Sequence, residues 1–339
     1  MSYAKIFIVF LGKGEENIML TTSIMYIILG FILLIKGADI LVDGSSNLAR
    51  KFHIPDIIIG LTIVSIGTSM PELFVSTTSA LDGLSDVAMG NVIGSNVCNL
   101  LLILGLSALI KPVKFQRETR LIEIPMCLIF TVIFMAICNI NADVSKAESI
   151  MLLTLFILFI GYTIYMGKKG EEFDKKGKEC TALIERPAEY SVPKCIGFII
   201  LGIIGLKIGG DWTVDNAMII ANHFNVSEKI ISLTILAIGT SLPELVTSVM
   251  AAIKGNSDIA IGNIIGSNIF NMLLIIGVAA FIKPITYNLT YNIDMTMLMV
   301  GTVVLALFPI IPPKNEMSRM NGLVYLGLYA VYMLIMFTI

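Results

Sequence analysis

IVSIGTSMPELFVSTTSALDGLSDVAMGNVIGSNVCNLLLILG runs from Ile63 to Gly105, and ILAIGTSLPELVTSVMAAIKGNSDIAIGNIIGSNIFNMLLIIG runs from Ile235 to Gly277. The second stretch repeats the first without a gap at an offset of 172 residues, with 25 of 43 positions identical, so the chain contains an internal duplication. Each copy carries one glutamate, Glu72 or Glu244, and a row of Thr, Ser and Asn within a stretch apolar enough to cross a membrane. Carboxylates at that depth are expensive and mark an ion or substrate path.

Working outward, the composition fits a membrane setting. Hydrophobic residues make up 56% of the chain and charged residues 14%, against about 25% charged in soluble domains. The apolar excess is lipid-facing surface rather than a larger core. A net charge of −2 offers nothing to a nucleic acid. Cys98, Cys127, Cys138, Cys180 and Cys195 have no regular spacing and mostly sit in apolar runs, so they read as small hydrophobes and not as a disulfide framework. Residues 1–21 have a short apolar core without a small-residue cleavage site and read as an N-terminal extension, not a signal peptide.

Apolar runs of about 18 residues or more number ten. The first half supplies 22–49, 55–81, 86–110, 121–138 and 149–166, and the second supplies 195–222, 229–253, 258–282, 293–312 and 320–338. A single long polar stretch, 167–194, separates the halves as a linker. Five spans return the chain to the opposite side, so the second half lies upside down relative to the first. The expected fold is an all-α polytopic membrane protein, ten transmembrane helices as two inverted five-helix repeats (22–166 and 195–339), with its site near the midplane. The duplication extends beyond the core: Asp39 aligns with Asp211, Asp43 with Asp215, and Lys111-Pro112 with Lys283-Pro284. Loops on one side carry about 16 Lys and Arg, those on the other about 5, which places both termini outside and 167–194 in the cytoplasm.

On a helix, Ser65, Thr68, Glu72, Ser76 and Ser79 share one face, with Ser69 at its edge. Pro71 removes the bond to the Gly67 carbonyl, so carbonyls near Ser65 to Gly67 are expected to be free; Ala237 to Gly239 and Pro243 repeat the break. Free carbonyls at membrane depth require burial in protein or a cavity. Asn91, Ser95 and Asn99 form a stripe on the next helix, repeated by Asn263, Ser267 and Asn271. Asn91, Asn96, Asn263 and Asn268 serve equally well as glue between helices. The donors are all hard oxygens, the set that suits Ca²⁺ or Na⁺. His53 and His223 lie at span ends, which argues against a site for Zn²⁺ or Cu.

GTSMPE with GNVIGSNVCN, and GTSLPE with GNIIGSNIFN, resemble the two alpha-repeats of the calcium/cation antiporter superfamily, in its sodium/calcium exchanger branch, minimal prokaryotic type. The resemblance covers most of the chain. It implies a secondary antiporter, not an enzyme, that exchanges Na⁺ for Ca²⁺ by alternating access, the first and sixth helices moving across the other eight. It implies Glu72 and Glu244 as chief ligands, with Thr68, Ser69, Ser95, Asn99, Thr240, Ser241, Ser267 and Asn271 in support and the carbonyls of Ser65 and Ala237 completing the set. Asn271 departs from members that carry Asp there, which argues against K⁺ co-transport. Ca²⁺ and Na⁺ are expected as transported ions, in contact with membrane lipid of the cell membrane, with no organic cofactor and no obligatory protein partner. Proton-coupled relatives carry GNxxE where this chain has GTSxPE, so H⁺ coupling is the alternative variant; a cation channel is the competing class. Asp39 and Asp43, with Lys36 one turn before, and the pair Lys207 and Asp211 read as ion pairs near helix ends, or as gating groups. Asp86 and Asp258 sit at helix starts, where the dipole favours a carboxylate.

Overall fold

The computed structural model describes residues 3–175, 189–224, 237–310 and 315–338. They form helices joined by short turns and two small sheets. The first repeat comprises α1 (Tyr3–Lys51), α2 (Asp56–Thr68), α3 (Met70–Asp82), α4 (Ser85–Ile110), α5 (Thr119–Asn141) and α6 (Lys146–Lys175). The second comprises α7 (Val192–His223), α8 (Ala237–Thr240), α9 (Leu242–Lys254), α10 (Ser257–Ile282), α11 (Leu289–Leu307) and α12 (Arg319–Thr338). Among the described residues eight helices are long and apolar enough to span a membrane, and α2 with α3 makes a ninth span bent by 49°. The remaining expected span, 229–253, is described only from Ala237, as α8 and α9. The helix ends differ from the apolar runs where backbone continues past the hydrophobic stretch. α1 shows no break at residue 22, α6 continues to Lys175, and α11 starts at Leu289 and ends at Leu307, short of the expected 312.

The duplication is visible in how the ends are fastened. The short strand β1 (Val113–Lys114) pairs antiparallel with β4 (Glu316–Met317), and β2 (Asp143–Val144) pairs with β3 (Ile285–Thr286). Each sheet joins one repeat to the other, so neither half closes alone. α3 and α9 both stop at a glycine in the left-handed region, Gly83 (φ 80°) and Gly255 (φ 85°). There the Leu84 N–H reaches Ser79 O (2.8 Å) and the Asn256 N–H reaches Ala251 O (2.8 Å), satisfying carbonyls that the helix ends would leave open. This sharp stop makes α3–α4 and α9–α10 antiparallel hairpins, as the sequence indicated. Asp86 and Asp258 fall in the first turns of α4 and α10.

Burial ranks the helices. The most apolar windows of α4 and α10 are 72% and 83% buried, against 17–44% for the other full spans, so these two form the centre of the protein. α10 lies close to α2 because it has no side chain at the crossing: a Cβ on Gly262 would stand 2.7 Å from Ile57 O, and one on Gly266 2.6 Å from Ser65 Oγ. α1 and α7 pack antiparallel along a second stripe of small residues, with Gly30 against Gly209, Gly37 against Gly202, and Gly44 against Cys195. Cys98, Cys127, Cys138 and Cys195 are buried free thiols, and Cys180 lies outside the described residues.

Candidate cation site between the repeats

The break between α2 and α3 sits at Ser69, whose backbone (φ −87°, ψ 9°) leaves the helical basin. Ser241, between α8 and α9, repeats it (φ −88°, ψ 6°). The expectation of a free Ser65 carbonyl needs correction: Ser65 O accepts the Ser69 N–H at 3.0 Å, so the helix keeps its bond there, and Thr68 Oγ1 lies 3.4 Å from the same oxygen. Ala237 opens α8, and its side chain lies outside the described ones. Proline at the second position of α3 and of α9 has no N–H to satisfy in a first turn, and the next residue in each helix is the glutamate.

The two glutamates are buried, Glu72 at 1% and Glu244 at 0% exposure. Ser65, Thr68, Ser69, Ser95, Asn99, Ser241, Ser267 and Asn271 are buried with them, while Thr240 is half-buried. The contacts cross from repeat to repeat. Ser69 Oγ donates to Glu244 Oε1 at 2.7 Å and stands 2.9 Å from Ser267 Oγ. Thr68 Oγ1 donates to Asn263 Oδ1 at 3.1 Å, and Thr240 Oγ1 donates to Asn91 Oδ1 at 3.3 Å, the same bond in the opposite repeat. Asn91 and Asn263 turn their amide nitrogens to Ser76 (2.9 Å) and Ser248 (3.0 Å), so both act as glue as well as support for the threonines.

The amides of α4 and α10 explain how oxygens come to be presented. Asn96 Nδ2 donates to Asn268 O (3.2 Å), and Asn268 Nδ2 donates back to Asn96 O (3.3 Å). Their side-chain oxygens accept from Asn99 Nδ2 (3.2 Å) and Asn271 Nδ2 (2.9 Å). With their N–H ends occupied, Asn99 and Asn271 are left with bare Oδ1 atoms. Asn96 and Asn268 thus join α4 to α10, the glue role the sequence offered for them, and they also orient Asn99 and Asn271, a second role that exists only once α4 meets α10. At Cys98–Ile103 and Asn271–Ile275 the two helices also widen into π-turns, which nothing in the spacing announced.

Seven buried oxygens of these residues have no partner among the described groups: both Oε atoms of Glu72, Oε2 of Glu244, Oγ of Ser95 and Ser241, and Oδ1 of Asn99 and Asn271. An unpaired buried polar group costs about 1–3 kcal/mol, more when charged, so such a concentration is not a feature of a packed core. All seven are hard acceptors, the donor set of Ca²⁺ and Na⁺. Among the described residues no group of three or more His, Cys, Asp and Glu gathers into a metal site.

Outside the site, Lys207 pairs with Asp211 at 2.6 Å as expected. Asp39 and Asp43 do not take Lys36 from their own helix. Their partner is Lys254 at the end of α9, at 2.6 and 2.7 Å.

The sodium/calcium exchanger family model matches residues 22–165 and 194–338, almost the whole of both repeats. The chain belongs to the sodium/calcium exchanger family. The chain is 37% identical over 290 residues to inner membrane protein YrbG of Escherichia coli, covering 85% of this chain and 88% of that one. It is 28% identical over 351 residues to sodium/calcium exchanger MaX1 of Methanosarcina acetivorans, covering 95% of this chain and all of that one. A solved structure of the sodium-calcium exchanger NCX_Mj, soaked with 2.5 mM Na⁺ and 0.1 mM Ca²⁺, superposes with a TM-score of 0.78 at 31% identity, over 91% of this chain and 97% of that one. The chain is thus a polytopic membrane protein of a cation-antiporter family.

Proposed function

We propose that this chain exchanges Na⁺ for Ca²⁺ across the cell membrane, one cavity serving both ions in turn. The observation that carries the reading is the set of seven unpartnered buried oxygens around Glu72 and Glu244. Two carboxylates balance one Ca²⁺ or are shared among several Na⁺, so the ions compete for the same charge. Empty, the pair is two anions in a low-dielectric interior, which disfavours crossing without cargo and enforces exchange over leak. Thr68, Ser69, Ser95, Asn99, Thr240, Ser241, Ser267, Asn271 and the carbonyls of Ser65 and Ala237 complete the proposed ligand set. Two five-helix units, 22–166 and 195–339, then alternate access to it, with both termini outside and 167–194 cytoplasmic.

The test is ⁴⁵Ca²⁺ uptake into proteoliposomes loaded with Na⁺, K⁺ or acidic buffer and diluted into medium without that ion. Na⁺-driven uptake is expected. Uptake driven by a pH gradient would assign the proton-coupled variant instead, and uptake needing no counter-ion would assign a channel.

A further inference from the structure

Inverted repeats imply that any contact between α1 and α9 has a mirror image between α7 and α3. The structure is not symmetric in this respect. α1 packs along α9, while among the described residues α7 has no comparable seat on α3. Because α1 and α7 are packed on each other along their glycine stripe, they form one body that leans to a single side.

The lean is fastened by polar groups. Lys254 Nζ donates to Asp39 Oδ1 (2.6 Å), Asp43 Oδ1 (2.7 Å) and Asp39 O (2.8 Å), which uses all three of its N–H bonds. Two residues on, Asn256 Nδ2 donates to Ser46 Oγ at 2.6 Å. The acceptors Asp39 and Asp43 are duplicated in α7 as Asp211 and Asp215, but the rest of the set is not. The positions equivalent to Lys254, Asn256 and Ser46 are Asp82, Leu84 and Met218. A mirror-image lean would bring Asp82 toward Asp211 and Asp215, carboxylate toward carboxylate; of the cations on that face, Lys207 is already bonded to Asp211 and Lys283 to the Leu81 carbonyl.

We propose that Lys254, with Asp39, Asp43, Ser46 and Asn256, is a latch that holds the α1–α7 body shut on the Lys254 face of the protein. The replacement of Lys254 by Asp82 in the first repeat denies the same latch to the opposite face. The two halves of the transport cycle are therefore unequal in energy although the central site is nearly symmetric. The cavity rests open toward the Asp82 face, and breaking the latch is part of opening the other.

This inference rests on the exchange reading above, and its test separates the two. Apparent KM for Ca²⁺ is measured at each face, in whole cells and in inside-out vesicles, for the wild type, Lys254→Gln and the exposed-site variant Asp82→Lys. Lys254→Gln is expected to lower KM at the Lys254 face and raise it at the other, changing the ratio by about three- to ten-fold, the range of a partly exposed charged contact. Asp82→Lys, which supplies the missing cation, is expected to move the ratio in the same direction. Hydrogen exchange in detergent needs no transport: amides of 39–47 are expected to exchange faster in Lys254→Gln, which removes the latch, and in Asp82→Lys to the extent that the opposite lean is populated. An active wild type whose KM ratio stays fixed in both variants overturns the latch, as does unchanged exchange at 39–47. A wild type that moves no Ca²⁺ overturns the exchange reading, and hydrogen exchange then decides the latch by itself.

Discussion

A buried carboxylate oxygen without a partner is tolerated where a cation arrives to meet it; both oxygens of Glu72 and Oε2 of Glu244 are in that condition, while Oε1 of Glu244 accepts from Ser69. Glu72→Gln and Glu244→Gln keep the shape and remove half of the available negative charge. Each is expected to lower ⁴⁵Ca²⁺ uptake by at least about 100-fold while leaving the detergent-solubilised protein folded. Asn96 and Asn268 touch no cavity oxygen of the glutamates; they hold the amides of Asn99 and Asn271. Asn96→Ala is therefore expected to raise the KM for Ca²⁺ by about 10-fold with a smaller change in maximal rate, the behaviour of a group that orients a ligand. The glutamates and the Asn99 and Asn271 positions were legible in the sequence because duplication placed the same polar residues twice in apolar runs. The direction in which each amide points was not legible, since Asn96 Oδ1 and Asn268 Oδ1 take their partners from the facing helix. The pairing of Asp39 with Lys254 over Lys36 escaped for the same reason: it is a contact over 211 residues of chain from Asp43, invisible to helical spacing.

At the scale of an element, the hairpins depend on the left-handed glycines. A Cβ at Gly83 faces the αL penalty of about 1–2 kcal/mol and would approach Lys283 Nζ at 3.0 Å. Gly83→Ala is expected to lower the melting temperature measurably. At the α2–α10 crossing, Gly262→Leu is expected to do more, because the side chain meets Ile57 O and the backbone of Gly60. Circular dichroism melts of the two variants check the order. Proline marked the helix breaks correctly to within a turn. What proline could not reveal is that the Ser65 carbonyl keeps a helical bond and that Ser69 and Ser241 are the residues that leave the helical basin. The π-turns at Cys98–Ile103 and Asn271–Ile275 lie within the two most buried helices, and apolar periodicity carries no trace of them.

At the scale of the whole molecule, the two repeats share their edge strands and their threonine–asparagine bonds, so each depends on the other for its closure. Expressed singly, residues 22–166 are expected to give no saturable ⁴⁵Ca²⁺ binding. Hydropathy made the polytopic helical fold legible, and the antiparallel seating of α1 on its repeat-mate α7 is the relation that an odd span count leads one to expect. The side to which α1 and α7 lean was hidden, because symmetry in the sequence is compatible with either lean and only packing chooses one. The most direct measurement of a shared cavity is equilibrium ⁴⁵Ca²⁺ binding to the purified protein as Na⁺ is raised at constant ionic strength, with K⁺ as the balancing ion. Shared occupancy of Glu72 and Glu244 predicts complete and reversible displacement of Ca²⁺ by Na⁺, steeper than one ion for one, and none by K⁺. Ca²⁺ that stays bound at saturating Na⁺ would place the two ions on separate sites and contradict the single-cavity mechanism.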